Sequence, residues 1–195
     1  MINIENIARF TEGLRTLREL SKTDDGRFAA NSEILAINFD EVKEWYYRDL
    51  LNDGVFSLPM NRKVRSEDFP KSADALYFSV DKDVYLVEFK ISKALCKSNE
   101  LRQKALESLL ALVDILQEDR DFARNKITFI VAYGEHKTSA LEEAIEDIFD
   151  IANMTQIDFK LERYKGLYFK EVLTMDIEKF AKYIKRKGWT SMSTL

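Results

Sequence analysis

The stretch that decides the fold is ADALYFSV (residues 73–80), followed after Asp81 and Lys82 by DVYLVEFKIS (residues 83–92). Both segments are rich in aromatic and β-branched residues, which suit a pleated, half-buried surface. So short a connection predicts a tight antiparallel hairpin. In a strand, side chains two apart share a face, so Glu88 and Lys90 project together while Val87 and Phe89 project to the opposite side. Charges inside so apolar a strand are expensive to bury unless they are paired or used. A turn at Asp81 and Lys82 sets Asp74 opposite Phe89, between Glu88 and Lys90. The three charges are then expected at one end of the sheet, although a slip of one residue would part their faces.

Working outward, residues 4–21 carry Ile4, Ile7, Phe10, Leu14, Leu17 and Leu20 at spacings of three and four, which predicts a short amphipathic helix. After a polar, turn-rich loop, a second helix is expected from Ser32 as N-cap to Asn52, with Gly54 beyond its end. In it Glu41 falls at the margin of the apolar stripe and Asp49 near its centre. VFSLPMNRKVRS (55–66) reads as an edge or bent strand because it carries Pro59. Downstream, 99–117 predicts a helix, and the apolar run KITFIVAYG (126–134) a strand covered on both faces. Residues 139–153 predict an amphipathic helix, FKLERY and GLYFKEVL further strands, and DIEKFAKYIKRKG a basic terminal helix. This order implies one α/β domain over residues 1–195, a mixed sheet flanked by helices on both faces. Its core spans about 32–153, and residues 154–195 add strands and the basic helix.

With 46% hydrophobic and 33% charged residues, the composition is that of a folded globular chain. A single cysteine, Cys96, and a single histidine, His136, argue against a disulfide scaffold and against a zinc site, and fit a reducing, cytoplasmic setting. No leader is expected from the N-terminal residues, and no stretch approaches the roughly 18 apolar residues of a membrane span. The net charge of −4 gives no global attraction to nucleic acid, so any such binding must rest on local basic patches. Arg62, Lys63 and Arg65, then Lys93, Lys97, Arg102 and Lys104, are the nearest of these.

The chemistry suggested by Asp74, Glu88 and Lys90 is specific. Two carboxylates can ligate Mg²⁺ or Mn²⁺ and leave positions open for water and phosphate. A neighbouring lysine can orient or activate water and stabilise charge on a phosphoryl transition state. This pattern, with the order helix, three strands, helix and strand over about 32–135, resembles the PD-(D/E)XK nuclease superfamily. The proline before the first acid is replaced here by Ala73. The resemblance implies a restriction-endonuclease-like core (αβββαβ), Asp74 and Glu88 as metal ligands and Lys90 as the residue serving the water. It also implies a glutamate from the preceding helix, with Glu41 the first candidate and Glu44 and Glu33 behind it. The expected function is metal-dependent hydrolysis of phosphodiester bonds, with nucleic acid, DNA foremost, as partner. The alternative is a nuclease-fold binding or scaffold protein without turnover. A homodimer through the aromatic-rich C-terminal strands is a further arrangement the sequence allows.

Overall fold

The computed structural model describes residues 9–22, 26–55, 65, 69–134 and 159–190. A six-stranded open sheet runs in chain order, β1 (Leu14–Thr16), β2 (Leu35–Asn38), β3 (Ala75–Phe78), β4 (Val84–Lys90), β5 (Ile127–Tyr133) and β6 (Glu171–Asp176). β1 to β4 are antiparallel neighbours, and β4, β5 and β6 are parallel. The helices are α1 (Leu17–Leu20), α2 (Phe39–Asn52), α3 (Ser98–Leu116), α4 (Arg120–Lys126) and α5 (Ile177–Arg186). The protein is therefore α/β with a mixed sheet. Parallel strands need a crossover, and α3 with α4 supplies it between β4 and β5.

Alternation along the strands divides the core in two. Ile37, Leu76, Leu86, Phe129 and Val131 pack with Leu101, Ala105, Leu109 and Leu112 of α3 and with Phe39 and Val42 of α2. From the other face Ala75, Tyr77, Tyr85, Val87, Phe89, Ile130 and Ala132 pack with Leu17 of α1, Phe180 and Ile184 of α5, and Trp189.

Several expectations change at this level. The N-terminal helix is broken: residues 9–12 are helical, but Gly13 ends the run and Leu14–Thr16 pairs with β2. Helix α1 then restarts through a capping box in which the Thr16 hydroxyl accepts from Glu19 N–H and the Glu19 carboxylate accepts from Thr16 N–H. The second helix begins at Phe39 rather than near Ser32, because Leu35–Asn38 is the strand beside β3 and the Asn38 side chain caps the helix. A short strand, β2, thus precedes this helix, and the β3–β4 hairpin follows it. FKLERY is no strand: Phe159 and Lys160 have φ of 64° and 59°, outside any strand conformation, and Glu162–Tyr164 forms a 3-10 turn. GLYFKEVL turns into a strand only at Glu171. The expected strand over 55–66 lies almost wholly outside the described residues, and the helix over 139–153 lies outside them entirely. Among the described residues no helix is long and apolar enough to cross a membrane.

Candidate functional site

The hairpin register decides whether the charges meet. Ala75 pairs with Val87, Leu76 with Leu86, Tyr77 with Tyr85 and Phe78 with Val84. Continued by one residue, this register sets Asp74 opposite Glu88, not opposite Phe89 as the two-residue turn implied. The cause is the loop. Ser79 N–H donates to Asp83 O at 2.9 Å, closing a three-residue loop in which Lys82 takes the left-handed conformation at φ 61°. A three-residue loop ending in a left-handed residue is a common hairpin closure, and its odd length puts Asp74 and Glu88 on one face.

That face is the one covered by α3. Leu101, Lys104, Ala105 and Ser108 follow each other at helical spacing along the side of α3 turned to the sheet, and Leu101, Ala105 and Ser108 are fully buried. Ser108 Oγ accepts from Ala73 N–H at 2.7 Å, which ties the helix to the entry of β3. One turn earlier, the Lys104 ammonium donates to both oxygens of Glu88, at 2.7 and 2.8 Å, and stands 3.4 Å from Asp74 Oδ1. The other Asp74 oxygen, Oδ2, accepts from Phe89 N–H at 2.6 Å. Lys90 Nζ lies 3.0 Å from Glu88 Oε1 and 3.2 Å from Glu100 Oε1.

Glu88 is fully buried, while the Asp74 side chain keeps 21% of its exposure and Lys90 19%, so the cluster opens toward Asp74 and the lysines. Burial and the neighbouring Asp74 carboxylate push the Glu88 carboxyl up to about 7, against the pull of Lys104 and Lys90. Burial also raises Asp74, opposed by Lys104 and by the Phe89 N–H. For Lys104 and Lys90 the effect of burial is downward, yet the adjacent acids outweigh it and hold both ammoniums above the ordinary lysine value. Asp40, at the start of α2, is the next acid, and its charge acts on both Asp74 and Lys104. Its carboxylate accepts from the Ser72 hydroxyl and from Lys43 Nζ.

The cluster lies at the carboxyl end of β4, where the parallel part of the sheet begins and where open α/β sheets bind ligands. The end of β4 is held close to the strand beside it. Gly134 N–H donates to Lys90 O at 2.8 Å, and a Cβ on Gly134 would sit 2.1 Å from Ile91 O.

Asp74, Glu88 and Lys90 therefore come together, and Glu41 does not join them. Its carboxylate lies 3.3 Å from the Arg15 guanidinium and accepts from Asn38 Nδ2 at 2.9 Å. Glu44 pairs with Arg48 and Glu33 with Arg18. Asp49 pairs with Arg9, whose guanidinium lies over the Trp45 ring. The residue that sequence reasoning missed is Lys104, grouped there with surface lysines although its spacing from Leu101 and Ser108 already aligned it with the sheet-facing stripe. Among the described residues no group of three or more His, Cys, Asp or Glu side chains forms a metal cage. Comparison with family models, with curated proteins and with solved structures found no match.

Proposed function

We propose that the protein is a divalent-metal-dependent nuclease of the PD-(D/E)XK type, hydrolysing phosphodiester bonds of nucleic acid, with DNA the expected substrate. One observation carries this reading: the carboxylates of Asp74 and Glu88 converge on a single cation, the Lys104 ammonium, with Lys90 beside them. In support of a restriction-endonuclease-like core, the acid-bearing hairpin is followed by α3 and by a strand parallel to β4. The strand β2 ahead of α2 is an addition to the expected order.

The donor set fits magnesium or manganese. All its side-chain donors are carboxylate oxygens, and two carboxylates leave the remaining positions to water and phosphate, as Mg²⁺ prefers. Bound there, the ion would polarise a phosphoryl oxygen and favour hydroxide at neutral pH. The protein's own residues do the rest. Phe89 N–H fixes the Asp74 carboxylate, leaving Oδ1 turned to the cation. Glu88 and Glu100 keep Lys90 charged, so its role is to donate to water and to offset negative charge on the phosphoryl group rather than to take a proton.

The test is cleavage of plasmid and single-stranded DNA with Mg²⁺ or Mn²⁺ against a chelator control. Asp74→Ala and Lys90→Ala should each lose about 100-fold or more, the range for removing a group that stabilises transition-state charge. Glu41→Gln should stay within about twofold, because that carboxylate serves Arg15 and the α2 cap. Undiminished cleavage by Asp74→Ala contradicts the assignment. A second reading, a binding protein of this fold without turnover, is favoured by the same ammonium, since Lys104 already sits between the two acids. It predicts no metal-dependent cleavage by the wild-type chain and no loss of stability on chelation.

A further inference from the structure

The nuclease reading uses Asp74, Glu88 and Lys90 and leaves Lys104 unexplained. Lys104 comes from a different element, α3, and makes the shortest ion pair in the cluster: both Glu88 oxygens at 2.7 and 2.8 Å, with Asp74 Oδ1 at 3.4 Å. Three oxygens of two carboxylates around one charged nitrogen is the coordination of a bound cation, here tethered to the chain. A divalent ion on those oxygens would lie about 2.0–2.1 Å from them if it is Mg²⁺. The ammonium cannot occupy the same place, and two cations so close repel strongly in a site with little water. The two must therefore exchange.

Lys104 is built to leave. Its ammonium ends a flexible four-carbon stem, and Asp40 offers a third carboxylate whose charge already acts on it. The Asp40 side chain is 55% exposed. Lys90 is differently placed, pinned between Glu88 and Glu100, and can remain while Lys104 moves.

We infer that Lys104 is a tethered counter-ion that holds Asp74 and Glu88 together in the ion-free protein and yields its place when a divalent ion binds, so that its charge sets the metal affinity of the centre. This rests on the nuclease reading of the acid pair. The competition has a consequence for the molecule: the site resists weakly bound ions and fills only when the ion, or the ion with phosphate, outcompetes an attached ammonium.

The experiment is Mn²⁺ binding to the full chain, stripped of metal, followed by calorimetry and by loss of the free-Mn²⁺ paramagnetic signal. Lys104→Met removes the charge, and Lys104→Gln removes it while keeping amide donors for the carboxylates, which guards against a variant that fails to fold. Both should bind one Mn²⁺ about tenfold or more tightly than wild type, in keeping with loss of one positive charge at the site. Asp74→Asn placed in the Lys104→Gln background should abolish that binding. Affinity unchanged or weakened in both variants, with wild type binding one ion, overturns the inference and leaves the nuclease reading standing. Absence of binding by wild type and both variants overturns the two together.

Discussion

On the face of the sheet covered by α5, β4 contributes Tyr85, Val87 and Phe89, and these share one apolar cluster with Phe180, Ile184, Tyr183 and Trp189. On the face covered by α3, the same strand contributes Val84, Leu86, Glu88 and Lys90. Burial does not separate them: Glu88 and Val87 both have 0% exposure and Phe89 has 6%. The α5 face is therefore filled as a core is filled, by stacked and edge-on rings such as Phe89 against Phe180 and Tyr77 against Trp189. The α3 face is apolar over Leu76, Leu86 and Phe129 and turns ionic at the strand's carboxyl end. Apolar residues of similar volume usually serve a core as well as an ion cluster or better, so the cluster is poorly explained as a stabilising device. An apolar face on one side of β4 and the titratable Glu88 and Lys90 on the other is the contrast on which the proposed function rests.

The contrast can be broken by substitutions in β4. Phe89→Ala should cost about 3–5 kcal/mol in chemical denaturation, the range for truncating a well-packed buried aromatic. It retains the backbone N–H that holds Asp74, so metal binding should survive under folding conditions. A loss below about 1 kcal/mol would mean the α5 face is not the packed core described.

A smaller effect separates the two faces by pH. The Glu88 carboxyl is raised from an ordinary 4.5 to about 7 in the folded chain. Between those values the folded state holds a proton that the unfolded state has released. The contribution is fully present below about 4.5 and is lost as pH rises through about 7. In chelator, wild type should therefore lose on the order of 1–3 kcal/mol between pH 5 and pH 7.5 relative to Glu88→Gln, which lacks that carboxyl. Parallel stability profiles for the two proteins would remove the buried, raised carboxyl from the account. Substitutions on the α5 face, such as Val87→Ala, should leave this slope unchanged.

The hairpin, α3, β5 and α5 were legible because each is long and strongly patterned, and because LVEFKI sets charges where an apolar strand has no use for them. What misled was short. Leu35–Asn38 is a four-residue strand running straight into a helix, and over so few residues a strand and a helical turn share the same apolar pattern. The true signal was Asn38 followed at the third position by Glu41, a cap with an acid in the first turn. Thr16 and Glu19 carried the same kind of signal inside what reads as one continuous helix. The hairpin loop is one residue longer than its sequence suggests, because the closing pair is Ser79–Asp83 and Lys82 accepts a left-handed conformation that sequence alone does not advertise. That one-residue difference decided whether Asp74 faced Glu88. Glu41 lies in the helix the resemblance points to but is held by Arg15 and Asn38, while a lysine on a buried stripe, such as Lys104, reads as surface until its acids are known.

The central claim, that Asp74 and Glu88 are a pair built to share one divalent ion, is tested most directly by the anomalous difference map of a crystal soaked in Mn²⁺. The account predicts one peak touching a carboxylate oxygen of each residue at about 2.0–2.3 Å, with Lys104 Nζ withdrawn from Glu88. A map at saturating Mn²⁺ with no peak there, and the Lys104 ammonium still seated on both Glu88 oxygens, would contradict it.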